Sequence, residues 1–199
     1  MTATARASSA IAATVEFLEA TRDADDANTI GSLFDTVILA LGFGHYSLRC
    51  APQRPSVGSG GGRIWTHPRA WEEHFDASDY AALSPVIQMA GRVYRPFNWF
   101  EVLAQPNLSA AQRRIYSEAT EFSIGMALTV PIHQAEGPPS IIIINADSSL
   151  DPTADVIRAE GKKAHLLGLA LYERIRLRIG DQWIAVREPG PADAVANDN

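Results

Sequence analysis

The sequence predicts an α/β (α+β) fold, a sandwich in which helices pack on a mainly antiparallel sheet of about five strands. Segments with the two-residue period of strands lie in the middle of the chain, and segments with the period of helices lie on both sides. Strands and helices do not alternate regularly, as a doubly wound parallel sheet would require. A length of 199 residues favours one domain with a substantial core.

Two helices are predicted before the first strand. The first covers about residues 8–21, where apolar residues recur at three- and four-residue spacings. The second runs from about Asp25 to Leu41 and carries one wide apolar stripe. It starts in the acidic segment DADD and ends before Gly42, which suits the helix dipole and the exit of the chain. This second helix should contribute to the core.

Four segments have the pattern of strands. HYSLRCA, from His45, alternates apolar with polar side chains, and RIWT at 63–66 is a short strand. MALTVPI at 126–132 alternates large with small residues. SIIIINA at 140–146 is almost continuously apolar, as expected of a central strand that is buried on both faces. The intervening PQRPSVGSGGG is predicted to be a mobile loop because Pro, Ser and Gly dominate it.

Three further helical segments complete the prediction. One opens at His67-Pro68, with proline at the first helical position, and one covers LSAAQRRIYSEATEF with Ser109 as its cap. The last runs over about residues 152–179 and is rich in Leu, Ile and Ala. We therefore expect a domain over residues 9–180, a disordered N-terminus at 1–8 and a disordered acidic tail at 181–199.

The composition disfavours several classes of protein. A net charge of −6 does not favour binding to nucleic acid phosphates. The only cysteine, Cys50, excludes an intrachain disulfide and any multi-cysteine metal site, which fits a cytoplasmic location. Glu16 and Glu19 interrupt the apolar residues near the N-terminus, so no signal peptide, membrane span or membrane partner is expected.

No segment has the pattern of an active site. GSGGGR at 58–63 lacks the GK[ST] ending of a phosphate loop, and G-x-S-x-G is absent. The five histidines are scattered without an HExxH arrangement. We therefore predict no catalytic residue, no metal site and no cofactor, and a protein that is not an enzyme.

Bulky aromatic residues at definite spacings are the main candidates for a binding site. Trp71 and Phe75 are four residues apart and so share one face of a helix, and Phe97 and Trp99 follow at a distance. These rings either fill a core or enclose a ligand beside the small strand residues Ala127 and Thr129. The pattern alone leaves both interpretations open.

The ordered set W-x3-F-x4-Y-x3-SPV-x3-A-x5-PF-x-W, followed by F-x-I-G-x3-TVPI, resembles the autoinducer-binding domain of LuxR-type quorum-sensing regulators. The resemblance covers roughly residues 10–180. It implies an α-β-α sandwich that encloses an N-acyl-homoserine lactone between the sheet and one helical layer. Trp71 matches the tryptophan that donates to the lactone carbonyl, and Trp99 matches the one that lines the lactone end. The residues expected at the ligand are Tyr46, His67, Trp71, Phe75, Ser84, Pro85, Phe97, Trp99, Ala127 and Thr129.

Three of these residues depart from the family pattern. His67 and Phe75 stand where tyrosine is frequent, and Ser84 replaces the aspartate that accepts a hydrogen bond from the ligand amide. A charge-assisted hydrogen bond contributes about 1.5–3 kcal/mol, against about 0.5–1.5 kcal/mol for a neutral one. We therefore expect a conventional lactone to bind roughly ten- to a thousandfold more weakly than in a typical member, or a related amphiphile to replace it.

The resemblance also implies a role for partners. LuxR-type regulators carry a helix-turn-helix module after the sensor, whereas this sequence continues for only about 20 residues beyond the long helix. We expect no DNA-binding domain and no direct contact with nucleic acid. Two interpretations remain: a sensor of a small-molecule signal, or a ligand-independent antiactivator that pairs with a full-length LuxR-type regulator. Homodimers or heterodimers would form through Leu166, Leu169 and Tyr172.

Overall fold

The computed structural model describes residues 3–51, 62–135, 137–151 and 153–179, with side chains described from Ala10 onward. Most of the predicted mobile loop, at 52–61, and the predicted acidic tail at 181–199 lie outside these residues. The elements in chain order are α1 (Ala3–Ala20), α2 (Ala27–Ala40), β1 (His45–Cys50), β2 (Gly62–Trp65), α3 (Arg69–Ala77), α4 (Tyr80–Leu83), α5 (Pro85–Ala90), β3 (Phe97–Asn98), α6 (Trp99–Leu103), α7 (Ala110–Glu121), β4 (Ile124–Ile132), β5 (Ser140–Asp147) and α8 (Asp155–Arg178).

The described strands form one antiparallel sheet in the order β2-β1-β5-β4-β3. The apolar strand β5 lies at the centre, where Ile142 pairs with Leu48 of β1 on one side and with Val130 of β4 on the other. The predicted class, a mainly antiparallel sheet with helices around it, is confirmed. β3 was not predicted, because two residues are too short to show a period.

The sheet separates two hydrophobic cores. One core, which we call the back core, packs strand residues such as Tyr46 and Ile144 against α1, α2 and α8. The other, the front core, packs Ala127 and Ile141 against the helices between α3 and α7. Neighbouring residues of a strand point to opposite faces, so each central strand contributes to both cores. The layers are therefore helix, sheet and helix.

The caps explain several helix boundaries. Asp26 accepts a hydrogen bond from Thr29 N at 2.9 Å at the start of α2. Ser109 and Gln112 form a reciprocal capping box at the start of α7, as the sequence predicts for Ser109. Pro68 precedes α3 by one residue rather than occupying its first turn.

Two helices differ from the sequence prediction. The first helix begins at Ala3, inside the segment 1–8 that the sequence analysis assigned to the N-terminus before the domain. The last begins at Asp155, after the left-handed residue Ala154. Across the described residues, no helix has the length and apolar character needed to cross a bilayer.

Candidate ligand-binding cavity

A narrow cavity of about 70 Å³ lies on the front face of the sheet, beneath α3, α5 and α7. Its floor is formed by front-facing residues of β1, β2, β4 and β5, and its walls by the helices. The residues that line it are Ser47, Arg49, Arg63, His67, Trp71, Glu72, Phe75, Ser84, Val86, Ile87, Trp99, Ile115, Tyr116, Ile124, Ile141 and Ile143. The cavity is therefore largely apolar, with a small number of polar and charged groups.

Five of the ten residues expected at a ligand line this cavity: His67, Trp71, Phe75, Ser84 and Trp99. The structure brings these residues together although they come from the segment before α3 and from α3, α5 and α6. Four others lie just outside the lining as buried supports. These are Pro85, Phe97, Ala127 and Thr129.

Tyr46 lies on the opposite face of the sheet, so its expected contact with a ligand is corrected. Its hydroxyl donates to Gly31 O at 3.0 Å, and its ring packs edge-on against Phe34 in the back core. Its neighbour Ser47 faces the cavity instead. The sequence pattern identified the alternation in β1 but not which set of side chains faces the front.

The two tryptophans present different donors to the cavity. Trp99 Nε1 donates to Thr129 Oγ1 at 3.1 Å, so its N–H is already paired within the protein. Trp71 is only 4% exposed, and among the described residues no hydrogen bond engages its indole N–H. Its ring packs against Phe75 and Phe122 at centroid distances of 5.7 and 5.6 Å. Trp71 is therefore the tryptophan with an available donor.

Ser84 is held at the wall of the cavity by its role as a helix cap. Its Oγ accepts from Ile87 N at 3.4 Å at the start of α5, and Pro85 occupies the first position of that helix. A hydroxyl that accepts one hydrogen bond can still donate its own hydrogen and accept a second bond. Ser84 can therefore pair with either a donor or an acceptor of a ligand.

A buried network of charged and polar side chains borders the cavity, and the sequence analysis identified only its histidine. His67 Nδ1 lies 2.7 Å from Glu72 Oε1, and Nε2 lies 3.1 Å from Asn145 Oδ1. Arg63 forms an ion pair with the other oxygen of Glu72. Burial lowers the pKa of His67 to about 3, so the ring is neutral near pH 7. Glu72 belongs to a polar stretch of α3 that resembles a solvated face, so no sequence signal identified it.

Two arginines at the β1–β2 side of the cavity differ in their pairing. Burial, with the charge of Arg49 beside it, lowers the pKa of Arg63 to about 10. Arg63 also lies over the ring of Trp65, 4.5 Å from its centroid. Arg49 is exposed, and its guanidinium has no hydrogen bond or ion pair within the described part of the chain. Of these two cationic side chains in the lining, Arg63 is therefore paired with a carboxylate, whereas Arg49 is not.

Tyr116 on α7 is a second buried side chain that the sequence analysis missed. It lines the cavity, is 6% exposed and packs edge-on against Trp99 at a centroid distance of 5.1 Å. Its hydroxyl is buried without a hydrogen-bond partner among the described groups. Burial raises the pKa of Tyr116 far above its ordinary value, so the phenol stays protonated. Its position on the apolar face of the predicted helix 108–122 was the available signal.

A carboxylate joins the helices that cover the cavity. Glu118 of α7 accepts from the Tyr80 hydroxyl at 2.5 Å and lies 2.7 Å from His74 Nε2. Arg114 completes the cluster at 2.9 Å. The hydrogen bonds from Tyr80 and His74 hold the pKa of Glu118 below its ordinary value. This cluster links α3, α4 and α7 on the outer side of Trp71.

The described residues contain no group of three or more His, Cys, Asp or Glu side chains that could hold a metal ion. The polar groups that line the cavity include the donors of Trp71 and Tyr116, the hydroxyl of Ser84 and the network around His67. Pockets that orient a small molecule are commonly of this kind, with a few polar groups in an apolar lining.

The family model for the autoinducer binding domain matches residues 26–175. Among curated relatives, the quorum-sensing-dependent transcriptional regulator RpaR of Rhodopseudomonas palustris is 26% identical over 133 residues, covering 65% of this chain and 53% of that protein. The transcriptional activator TraR of Rhizobium radiobacter is 28% identical over 99 residues, covering 48% and 42%. The chain thus spans about half the length of the curated relatives it matches.

Solved structures share the fold. The N-acylhomoserine lactone dependent LuxR family transcription factor CepR2 of Burkholderia cenocepacia has a TM-score of 0.66 at 18% identity, with 87% of this chain and 99% of that chain covered. SdiA of Escherichia coli has a TM-score of 0.63 at 14% identity, with 83% and 67% covered. SdiA in complex with octanoyl-rac-glycerol has a TM-score of 0.63 at 15% identity, with 85% of this chain and 66% of that chain covered. The TM-scores show a shared fold, and at these identities the likeness concerns the fold alone.

Proposed function

Because the chain belongs to the autoinducer-binding domain family, we propose that its front cavity binds a small amphiphilic signal and thereby modulates quorum-sensing transcription. The proposed ligand is an N-acyl-homoserine lactone or a related acyl compound. The observation that carries the proposal is the buried Trp71, whose indole N–H is unpaired among the described residues and borders a largely apolar cavity.

The distribution of polar groups supports a ligand with a polar head and an apolar tail. Trp71 and Ser84 offer a donor and a hydroxyl, while Val86, Ile87 and Ile143 offer apolar contacts. Because serine replaces a carboxylate at position 84, the head-group contact is a neutral hydrogen bond of about 0.5–1.5 kcal/mol. We therefore propose weaker binding of simple lactones than in family members with aspartate.

Two structural neighbours guide the choice of compounds. CepR2 is described as N-acylhomoserine lactone dependent, and SdiA has been solved with octanoyl-rac-glycerol. Both compounds join an acyl chain to a head group rich in oxygen acceptors. For this chain, an acyl-homoserine lactone and an acyl glycerol are therefore both candidate ligands, and both are tested.

The size of the cavity constrains how a ligand enters. A volume of about 70 Å³ is below the roughly 300–1,000 Å³ of common ligand pockets. An octanoyl compound would enter only if side chains such as Phe75 and Ile87 moved away from the sheet, or if its chain extended into a neighbouring pocket of about 510 Å³. The two pockets share the lining residues Arg49, Arg63, Ile87 and Ile141. The cluster around Glu118 would limit movement away from the sheet.

The proposal is tested by calorimetric titration and thermal shift of the purified chain with octanoyl-homoserine lactone, its 3-oxo form and octanoyl-rac-glycerol. Trp71→Phe keeps an aromatic ring but removes the N–H, and we expect about a tenfold loss of affinity. Trp65→Phe is the matched control, since Trp65 does not line the cavity. The absence of saturable binding by all three compounds would reject the proposed signal class.

A second candidate function rests on exposed apolar residues of α8 and α1. Leu166 and Leu169 are each 37% exposed, and Ile11 and Val15 are exposed on α1. The helices are adjacent, because Arg174 donates to Leu18 O at 2.7 Å. Tyr172, the third residue expected at an interface, is half-buried against the back core.

These residues support a homodimer or a heterodimer with a full-length LuxR-type regulator, in which the chain acts as an antiactivator. Sedimentation of the chain alone and mixed with such a regulator tests this candidate. Leu169→Glu should weaken association by about tenfold or more. Leu150→Glu is the control, because Leu150 is 83% exposed but lies outside α1 and α8. Equal effects of the two substitutions would reject this interface.

A further inference from the structure

The hydroxyl of Tyr116 is a buried polar group beside the cavity that has no hydrogen-bond partner among the described residues. Most buried polar groups in proteins are hydrogen-bonded, and an unpaired one costs stability. Tyr116 nevertheless places its hydroxyl among apolar neighbours without a partner in the described structure. A phenylalanine would fill the same volume without that cost.

The position of Tyr116 indicates what kind of partner would satisfy it. Its ring packs against Trp99, whose own N–H is occupied by Thr129. At this wall of the cavity, the phenol is therefore the free donor. Its raised pKa keeps the hydrogen in place, so an acceptor oxygen is the complementary group.

Trp71 provides a second free donor from a different helix. Trp71 lies on α3 among Phe75, Phe122 and Tyr80, whereas Tyr116 lies on α7 against Trp99. Both residues line the same cavity. Two donors that approach from two helices suit a head group with at least two separate acceptor oxygens.

We propose that the Tyr116 hydroxyl binds an oxygen of the ligand head group and selects ester-like heads with two or more acceptors over heads that lack them. This inference rests on the proposed small-molecule function and deepens it. Removal of the head oxygens from a ligand should leave the hydroxyl unpaired, and such ligands should bind more weakly.

The test is a cycle of two proteins and two compounds, measured by calorimetry. N-octanoyl-homoserine lactone has ring ester oxygens, and N-octanoyl-cyclopentylamide keeps the chain and amide without them. We expect the wild-type chain to prefer the lactone and Tyr116→Phe to reduce that preference about tenfold. An unchanged preference overturns the inference while leaving the proposed function intact.

A second readout distinguishes this role from a structural one. Tyr116→Phe removes an unpaired buried hydroxyl, so the melting temperature of the ligand-free chain should stay equal or rise. Tyr80→Phe is the matched control and should lower the melting temperature, because its hydroxyl donates to Glu118. A loss of stability in Tyr116→Phe as large as in the control would show that the hydroxyl is already paired, which overturns the inference. Failure of the wild-type chain to bind either compound overturns this inference, whereas the proposed function is rejected only if the 3-oxo lactone and octanoyl-rac-glycerol also fail to bind.

Discussion

Trp99 Nε1 and Thr129 Oγ1 lie 3.1 Å apart and form a buried hydrogen bond that joins α6 to β4. The bond gives the two tryptophans of the cavity different roles. Trp99 is a wall whose polar atom is held by the sheet, and Trp71 keeps its N–H unpaired within the described residues. The two indole N–H groups thus differ in hydrogen bonding because only that of Trp99 lies beside a hydroxyl of the sheet.

Thr129→Val should therefore destabilise the fold. Valine has nearly the shape of threonine but cannot accept the hydrogen bond, so the Trp99 N–H would be buried and unpaired. We expect the free energy of unfolding to fall by about 1–3 kcal/mol in urea denaturation. Thr36→Val is the control, since its exposed hydroxyl bonds only within α2. Equal effects of the two changes would contradict a structural role for the Trp99–Thr129 bond.

Ser84→Asp should increase affinity for N-acyl-homoserine lactones. A carboxylate is a stronger acceptor for a ligand amide than a hydroxyl, and aspartate is also a favourable helix cap for α5. We expect binding to strengthen by about tenfold or more in calorimetric titration. Ser84→Asn, which also caps but carries no charge, is the matched control. If neither variant changes affinity, then position 84 does not contact the ligand.

Acid should weaken the fold through His67. Its pKa is about 3 in the folded chain and about 6.5 when unfolded. Between those values the unfolded state binds the additional proton, so the free energy of unfolding decreases as the pH falls through this window. Denaturation should show about 2 kcal/mol less stability at pH 5 than at pH 7 from this residue, and His67→Gln should lose that component.

The comparison with His67→Gln isolates the residue, because burial also lowers the pKa of His165 and gives a contribution of the same sign. That contribution is present in both proteins and cancels in the difference. The contrary outcome is a free energy of unfolding that rises toward pH 5 in the wild type relative to His67→Gln. That result would mean that His67 and Glu72 share a proton in the folded state, and it would contradict a neutral His67 ring.

Gly31→Ala should destabilise the back core without weakening ligand binding. A Cβ at this position would lie 2.2 Å from Ile64 Cδ1 and 2.8 Å from the Tyr46 hydroxyl. Overpacking of this kind costs about 1–3 kcal/mol. Gly161→Ala in α8 is the control, because its nearest atom is 3.9 Å away, and it should stabilise by about 0.4–1 kcal/mol. Loss of lactone affinity in folded Gly31→Ala would show that the two cores are coupled.

Sequence reasoning was most successful where one physical pattern dominates. The uninterrupted apolar run of β5 predicted a central strand, and the Ser109 cap predicted the start of α7. The resemblance named Trp71 and Ser84 as residues of one site, and both line the cavity although Trp71 lies on α3 and Ser84 just before α5. Each of these features depends on local periodicity or on an ordered set of spacings, and both can be read along the chain.

The remaining site features depend on which side of the sheet a residue occupies. Both faces of β1 are covered by helices, so alternation alone could not decide whether Tyr46 or Ser47 faces the cavity. His67 contacts Glu72 and Asn145, and Glu72 contacts Arg63, only after β2, α3 and β5 are assembled. Tyr116 is an ordinary apolar-face residue of a helix until its hydroxyl is found without a partner.

The alternation of β1 and β5 also makes the protein easy to redesign. Ser47, Arg49, Ile141 and Ile143 line the cavity, whereas Leu48, Ile142 and Ile144 belong to the back core. A combinatorial library can therefore vary these four cavity-lining positions and sample new specificities while the residues of the back core stay unchanged. Substitution at Ser47, Arg49, Ile141 or Ile143 would change what the cavity contacts, whereas substitution at Leu48, Ile142 or Ile144 would change the packing of the back core.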